Sequence, residues 1–228
     1  MSINIETLRT RALTAVVFVA VMLTGLLWNS YSFIILFAIV HFGCWYEFVK
    51  LMKKIYTAQY LKYCLLGLIY ITMPICMLID MRLQGRSSYY DLGYILPCTI
   101  IFSIWINDTM AYIVGSFIGK TPFSKISPKK TWEGTIGGAI LCVAVIGLAG
   151  YFYLKNYFHL NNYFTSAIIA AICAVFGTAG DLLESKLKRM ANVKDSGTIM
   201  PGHGGFLDRF DSLLVAVPFV WVFVKLVS

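Results

Sequence analysis

The chain has 228 residues, of which 59% are hydrophobic and only 13% charged, and it carries a formal net charge of +8. That balance excludes an ordinary soluble domain and makes a lipid bilayer the natural solvent for most of the chain. The charges sit between apolar blocks, where they suit anionic lipid headgroups or nucleoside phosphates, and they make no case for a nucleic-acid partner.

Seven apolar blocks follow in chain order, at about 12–28, 31–49, 61–79, 92–118, 134–153, 163–180 and 209–227. Most are close to the roughly 20 residues with which a helix crosses about 30 Å of hydrocarbon. They predict an all-α, polytopic integral membrane bundle of about seven transmembrane helices. The first block, Ala12 to Trp28, is too long and too bulky for a cleaved secretory signal and reads as a retained span. The fourth is long enough for one tilted helix, a broken helix or two. Six cysteines fall singly inside apolar blocks, so no disulfide or zinc site is expected. With no internal repeat and no low-complexity linker, residues 1–228 read as a single transmembrane domain. Residues 1–104 supply the N-terminal spans, and 105–228 form the functional portion.

With the N-terminus in the cytoplasm, 15 Lys and Arg residues fall on inner segments and 4 (Arg82, Arg86, Lys155, Lys225) on outer ones. This positive-inside bias puts the C-terminus outside and the two most polar segments, about 119–133 and 181–208, on the cytoplasmic face.

The densest polar stretch runs from Gly180 to Asp211. Asp208 and Asp211 are three residues apart at the start of the last span, and Asp181 and Glu184 repeat that spacing at the end of the sixth, so each pair projects from one helix face. Two such pairs among lysines and arginines fit a Mg²⁺ site, since that ion takes a few carboxylates, keeps waters and binds substrate phosphates. The plainer alternative is that the acids neutralise basic neighbours or cap helices. Between them, Pro201-Gly202-His203-Gly204-Gly205 can turn backbone N–H groups toward an anion and leads into a helix N-terminus that favours phosphate. A flexible turn is the alternative, and His203 is either a phosphate donor or a structural hydrogen-bonder.

A second constellation lies in the fourth block. An ionisable Asp108 inside an apolar span costs about 2.5–3.5 kcal/mol on insertion scales and is expected to face a polar cavity, with Asn107 beside it. A hydrogen bond between helices is the competing reading. Gly119-Lys120-Thr121 is not a P-loop, because Gly115 is one residue too close and no strand precedes it; Gly115 and Gly119 read instead as helix-packing positions. The third constellation, Ser124 to Gly134, offers Ser127, Lys129, Lys130, Trp132 and Glu133 around Pro128. It suits a triphosphate, with Trp132 stacking a base or sitting at headgroup level, or else is an ordinary basic loop.

The segment Ser185 to Asp211 resembles the C-terminal signature of phosphatidate cytidylyltransferases, also called CDP-diacylglycerol synthases. Ser185, Lys188-Arg189, Lys194-Asp195, Gly197, Pro201, His203-Gly204-Gly205, Asp208-Arg209 and Asp211 stand at the family's spacing, and Met200 takes the place of the usual Leu, Ile or Phe. Asp108-Thr109, Ala111-Tyr112 and the run Ser127 to Gly134 are also similar, so the likeness covers about residues 105–212. At 228 residues the chain is short for that family, and one or more accessory N-terminal spans are expected to be absent.

The resemblance implies transfer of the cytidylyl group of CTP to phosphatidic acid, with Mg²⁺ required, in the lipid of a bacterial inner membrane. It implies Asp181 and Asp211 as metal ligands, with Asp208 next, and Lys129, Lys130, Lys188, Arg189, Lys194 and Arg209 as phosphate contacts. His203, Gly204 and Gly205 would line the phosphate pocket. A second, monovalent cation and a homodimer are compatible with it. Two neighbouring activities compete: a CTP-dependent polyprenol or phytol kinase, and a cytidylyltransferase for ether lipid. From a different class, Asp108 and Asp181 would suit a cation-coupled transporter, which would be expected to show repeat symmetry.

Overall fold

The computed structural model describes residues 5–84, 93–154, 162–198 and 204–227. The regular elements among them are all helices, and an isolated bridge pairs Pro122 with Thr131 in the loop before Trp132. The helices are α1 (Ile5–Leu27), α2 (Ser30–Tyr56), α3 (Tyr60–Cys64), α4 (Met73–Gln84), α5 (Ile95–Ile118), α6 (Trp132–Leu154), α7 (Asn162–Met190) and α8 (Leu207–Val227). Each of the seven apolar blocks is thus helical, and the fourth forms one continuous helix, α5. The third is irregular: α3 leads into a π-helical turn, Leu68–Thr72, before α4 resumes with Pro74 in its first turn, where a missing N–H is tolerated.

Among the described residues, five helical stretches are long and apolar enough to cross a membrane: Ser30–Cys64, Ile95–Ile118, Trp132–Phe152, Phe164–Met190 and Leu207–Val227, with a shorter apolar stretch at Leu13–Leu27. The chain is an integral membrane protein. Side chains such as Ile39, Phe42, Ile140 and Leu148 are exposed, as a surface solvated by lipid requires.

Two compact units can be distinguished, Met1–Tyr94 with Lys186–Phe210, and Ile95–Ser185 with Asp211–Ser228. In the first, Asn29 opens α2 with a capping box, accepting from the Ser32 backbone at 2.8 Å while the Ser32 hydroxyl accepts from the Asn29 N–H. Phe18, Phe37 and Phe210 meet edge or tilted at centroid distances of 6.2 and 6.4 Å. The π turn points Thr72 at α2, where its hydroxyl meets both His41 and the Trp45 indole at 3.0 Å. Helix α7 ends in a Schellman motif: Asn192 adopts φ +53°, and the Val193 and Asn192 N–H groups return to Lys188 and Arg189 carbonyls.

In the second unit, α5 pairs closely with α6 because small residues face each other. A Cβ on Gly138 would lie 2.7 Å from the Ala111 nitrogen, and one on Gly134 would lie 2.9 Å from the Gly115 Cα. The Gly134-x-x-x-Gly138 spacing brings the two backbones together, which is how helices associate where lipid offers no hydrophobic drive. Gly115 takes the packing position expected of it. Beyond this seam Cys142, Ile146 and Ala170 form a buried cluster with Phe102, Ile106 and Val143. Hydroxyls within α5 are satisfied locally, Ser103 and Thr109 donating to the carbonyls of Thr99 and Trp105. All six cysteines lie among the described residues, and no disulfide joins any of them.

Gly138→Leu should destabilise the purified protein by about 1–3 kcal/mol, the usual penalty for overpacking. Gly147→Ala, whose added carbon meets nothing nearer than 3.4 Å, should be close to neutral. Thermal unfolding in detergent compares the two, and equal midpoints would contradict this packing.

Candidate functional site

The second unit holds a cavity of about 640 Å³. Helix α5 contributes Asn107, Asp108 and Tyr112, α7 contributes Thr178 and Asp181, and the loop before α6 contributes Ser127, Lys129 and Lys130. Asp108 therefore faces a polar cavity, as an ionisable residue in an apolar span must. Asn107 is buried, and its amide oxygen has no hydrogen-bond partner among the described residues. A buried acceptor left open at a cavity wall is suited to a donor on a bound molecule.

The loop that carries the lysines is shaped by its own sequence. Pro128 sits in a turn closed by the Lys130 N–H on the Ser127 carbonyl at 3.1 Å. Phe123 and Thr131 bracket the hairpin through Phe123 N–H to Lys130 and the Pro122 to Thr131 bridge. Glu133 fastens its base, accepting from the backbone of Lys120 and Thr121 at 3.1–3.2 Å and from the Thr121 hydroxyl at 2.8 Å. Trp132 packs on the Phe123 ring at 4.5 Å. Trp132 and Glu133 are not among the residues that line this cavity; their contacts are with Phe123 and with Lys120 and Thr121.

Beside the cavity, Asp181 and Glu184 of α7 and Asp211 of α8 offer carboxylate oxygens that lie within 4.8 Å of one another. Glu184 and Asp211 are buried, and Asp181 is half-buried. Close approach of the backbones makes this possible: a Cβ on Gly180 would lie 2.5 Å from the Asp211 carbonyl oxygen. Lys130 forms an ion pair with Asp181, and the Ser185 hydroxyl reaches the same carboxylate at 3.4 Å. Three carboxylates so close repel one another unless cationic groups or a metal ion lie among them, and Lys130 is one such cation. An all-oxygen donor set bordering an open cavity, with room for waters and phosphate oxygens, fits a hard divalent cation such as Mg²⁺. Glu184, which the i, i+3 pairing with Asp181 offers as a ligand and the family resemblance leaves out in favour of Asp208, belongs to this group.

The remaining basic and glycine-rich candidates belong to the first unit. Asp208 bonds Lys188 at 2.6 Å and accepts from the Ser196 hydroxyl at 2.8 Å, the Ser196 N–H at 2.9 Å and the Gly205 N–H at 2.8 Å. Gly204 has φ +82°, a conformation that favours glycine. The N–H groups of Phe206 and Leu207, which open α8, are taken by Glu47 at 3.0 and 2.9 Å. Hence, of the donors that the sequence offers to a phosphate, the Gly205 N–H and those at the start of α8 are taken by two of the protein's own carboxylates. Lys194, Arg189 and Arg209 are exposed. Pro201, Gly202 and His203 lie outside the described residues. Sequence reasoning missed Glu47 altogether, although an acid inside the second apolar block carries the same signal that singled out Asp108.

A multi-span helical protein with a lysine-and-carboxylate cavity is the class that this fold and site define. The sequence pattern of the cytidylyltransferase family matches residues 59–227, and the chain belongs to that family. It is a nucleotidyltransferase by that membership and by its relatives. It is 36% identical over 212 residues to a phosphatidate cytidylyltransferase of Rickettsia typhi, covering 91% of this chain and 88% of that protein. It is 38% identical over 182 residues to the Bacillus subtilis protein of the same name, covering 79% and 64%. With the Synechocystis protein of that name it shares 40% over 145 residues, covering 62% and 47%.

Glu133→Ala should release the base of the lysine loop. Amide hydrogen exchange at Lys120 and Thr121 is expected to quicken, with faster tryptic cutting at Lys125 and Lys129. Unchanged exchange at both amides would contradict the anchoring role.

Proposed function

We propose that the chain transfers the cytidylyl group of CTP to phosphatidate, giving CDP-diacylglycerol and pyrophosphate, at the cytoplasmic face of the membrane. What carries the reading is the convergence of Lys129 and Lys130 with Asp181 at one cavity, beside the trio completed by Glu184 and Asp211. The names of the relatives support the two substrates, and the charge count supports the face.

The chemistry asks little of a general base. A phosphate monoester loses its second proton near about pH 6, so the lipid phosphate is already an anionic nucleophile at neutral pH. Its oxygen bonds to the α-phosphorus of CTP as the bond to pyrophosphate breaks. The protein has to hold the two in line and offset the gathering negative charge. Lys129 and Lys130 are placed to grip phosphate oxygens, and Asn107 offers its open amide oxygen to a donor on the substrate. Asp181, Glu184 and Asp211 would hold Mg²⁺, which when bound supplies charge neutralisation for the departing pyrophosphate. On this reading Asp208, engaged by Lys188, Ser196 and Gly205, orders the segment before α8.

Purified protein given phosphatidate, Mg²⁺ and CTP labelled at the α-phosphate should yield labelled lipid, and CTP labelled at the γ-phosphate should not. Transfer of the γ label would instead mark a kinase. Asp211→Asn should lower the rate at least about a hundredfold, equivalent to roughly 2.7 kcal/mol of transition-state stabilisation, while still inserting into the membrane. Near-wild-type turnover would remove Asp211 from the site.

A further inference from the structure

We propose that Glu47 is a positioning residue for nucleotidyl transfer: from α2 it supplies the N-cap of α8 and fixes both ends of the segment that runs from Ser196 to Leu207. Glu47 is fully buried. Its Oε2 accepts from the Ser196 hydroxyl at 2.7 Å and the Leu207 N–H at 2.9 Å, and its Oε1 accepts from the Phe206 N–H at 3.0 Å. Phe206 provides no side-chain cap of its own, and the first N–H groups of a helix have no partner within it. A carboxylate at that end also meets the positive pole of the helix.

The surrounding sequence is built around this carboxylate. A Cβ on Gly197 would lie 2.1 Å from Glu47 Oε1, and one on Gly205 would lie 2.2 Å from both carboxylate oxygens. One helical turn before Glu47, a Cβ on Gly43 would lie 2.4 Å from the Phe206 ring. Gly43 and Glu47 therefore form a socket on α2, with the Phe206 ring in one half and the helix N-terminus in the other. The Ser196 hydroxyl, whose single hydrogen serves one carboxylate at a time, lies between Glu47 and Asp208, the Ser196 N–H holds Asp208 independently, and Asp208 holds Lys188. A slip of one residue at the start of α8 rotates each side chain on it by about 100°. The socket thus sets where Asp208 and Arg209 point.

The kinetic consequence rests on the proposed reaction, whereas the anchoring does not, and the test separates the two. Glu47→Gln keeps the shape of the side chain but replaces one acceptor by a donor. In the full-length protein in detergent, exchange at the Phe206 and Leu207 amides should rise about tenfold on loss of bonds to a charged acceptor. With an unfolding midpoint near that of the wild type, kcat should fall at least about tenfold while KM for CTP changes by less than about threefold, the mark of a lost transition-state interaction. Wild-type kcat, or unchanged exchange at both amides, would overturn the proposal. Should Glu47→Gln fail to fold, Ser196→Ala is read in its place, with the same split expected at about threefold in kcat; an unchanged kcat again overturns it. Should the wild type make no CDP-lipid, the proposed reaction fails, and the exchange data alone decide the place of Glu47.

Discussion

An ionised carboxylate inside an apolar helical bundle persists only where other groups meet its oxygens. Both units are arranged by that requirement. In the first, Glu47 and Asp208 between them take the N–H groups of Ser196, Gly205, Phe206 and Leu207, the Ser196 hydroxyl and the Lys188 ammonium. In the second, Lys130 compensates Asp181. Three glycines serve the same need, since Gly180, Gly197 and Gly205 stand where a side chain would collide with a carboxylate-bearing neighbour or the carboxylate itself.

The helical membrane fold was legible because hydropathy alone dictates it: a span must satisfy every backbone group internally, so long apolar blocks become helices. Asp108 was legible for a related reason, as an acid in a span needs a polar cavity and it has one. Glu47 carried the same signal, but its role did not show, because its partners lie about 150 residues away and no local spacing announces them. At the glycine-rich turn the Gly205 N–H meets Asp208. The turn's donors are suited to an anion, but periodicity cannot say whether the anion is a substrate or a side chain of another helix. Trp132 and Glu133 show the reverse case, in which residues of types used for ligands pack against Phe123 and the backbone of Thr121. The i, i+3 pairing of Asp181 with Glu184 was visible, whereas the approach of Asp211 depended on helix packing through Gly180.

The arrangement suits nucleotidyl transfer with a substrate that is its own nucleophile. Such chemistry needs charge and alignment more than proton abstraction. Lysines on a stiffened loop and carboxylates on two close helices are suited to both.

The account stands on the carboxylate trio as a divalent cation site. Electron paramagnetic resonance of Mn²⁺ titrated into the purified protein, as a spectroscopic stand-in for Mg²⁺, reads that site without any turnover. The wild type should remove Mn²⁺ from the free signal, and Asp181→Asn combined with Asp211→Asn should lose that binding while remaining folded. Equal Mn²⁺ binding by the wild type and the double variant would contradict the account.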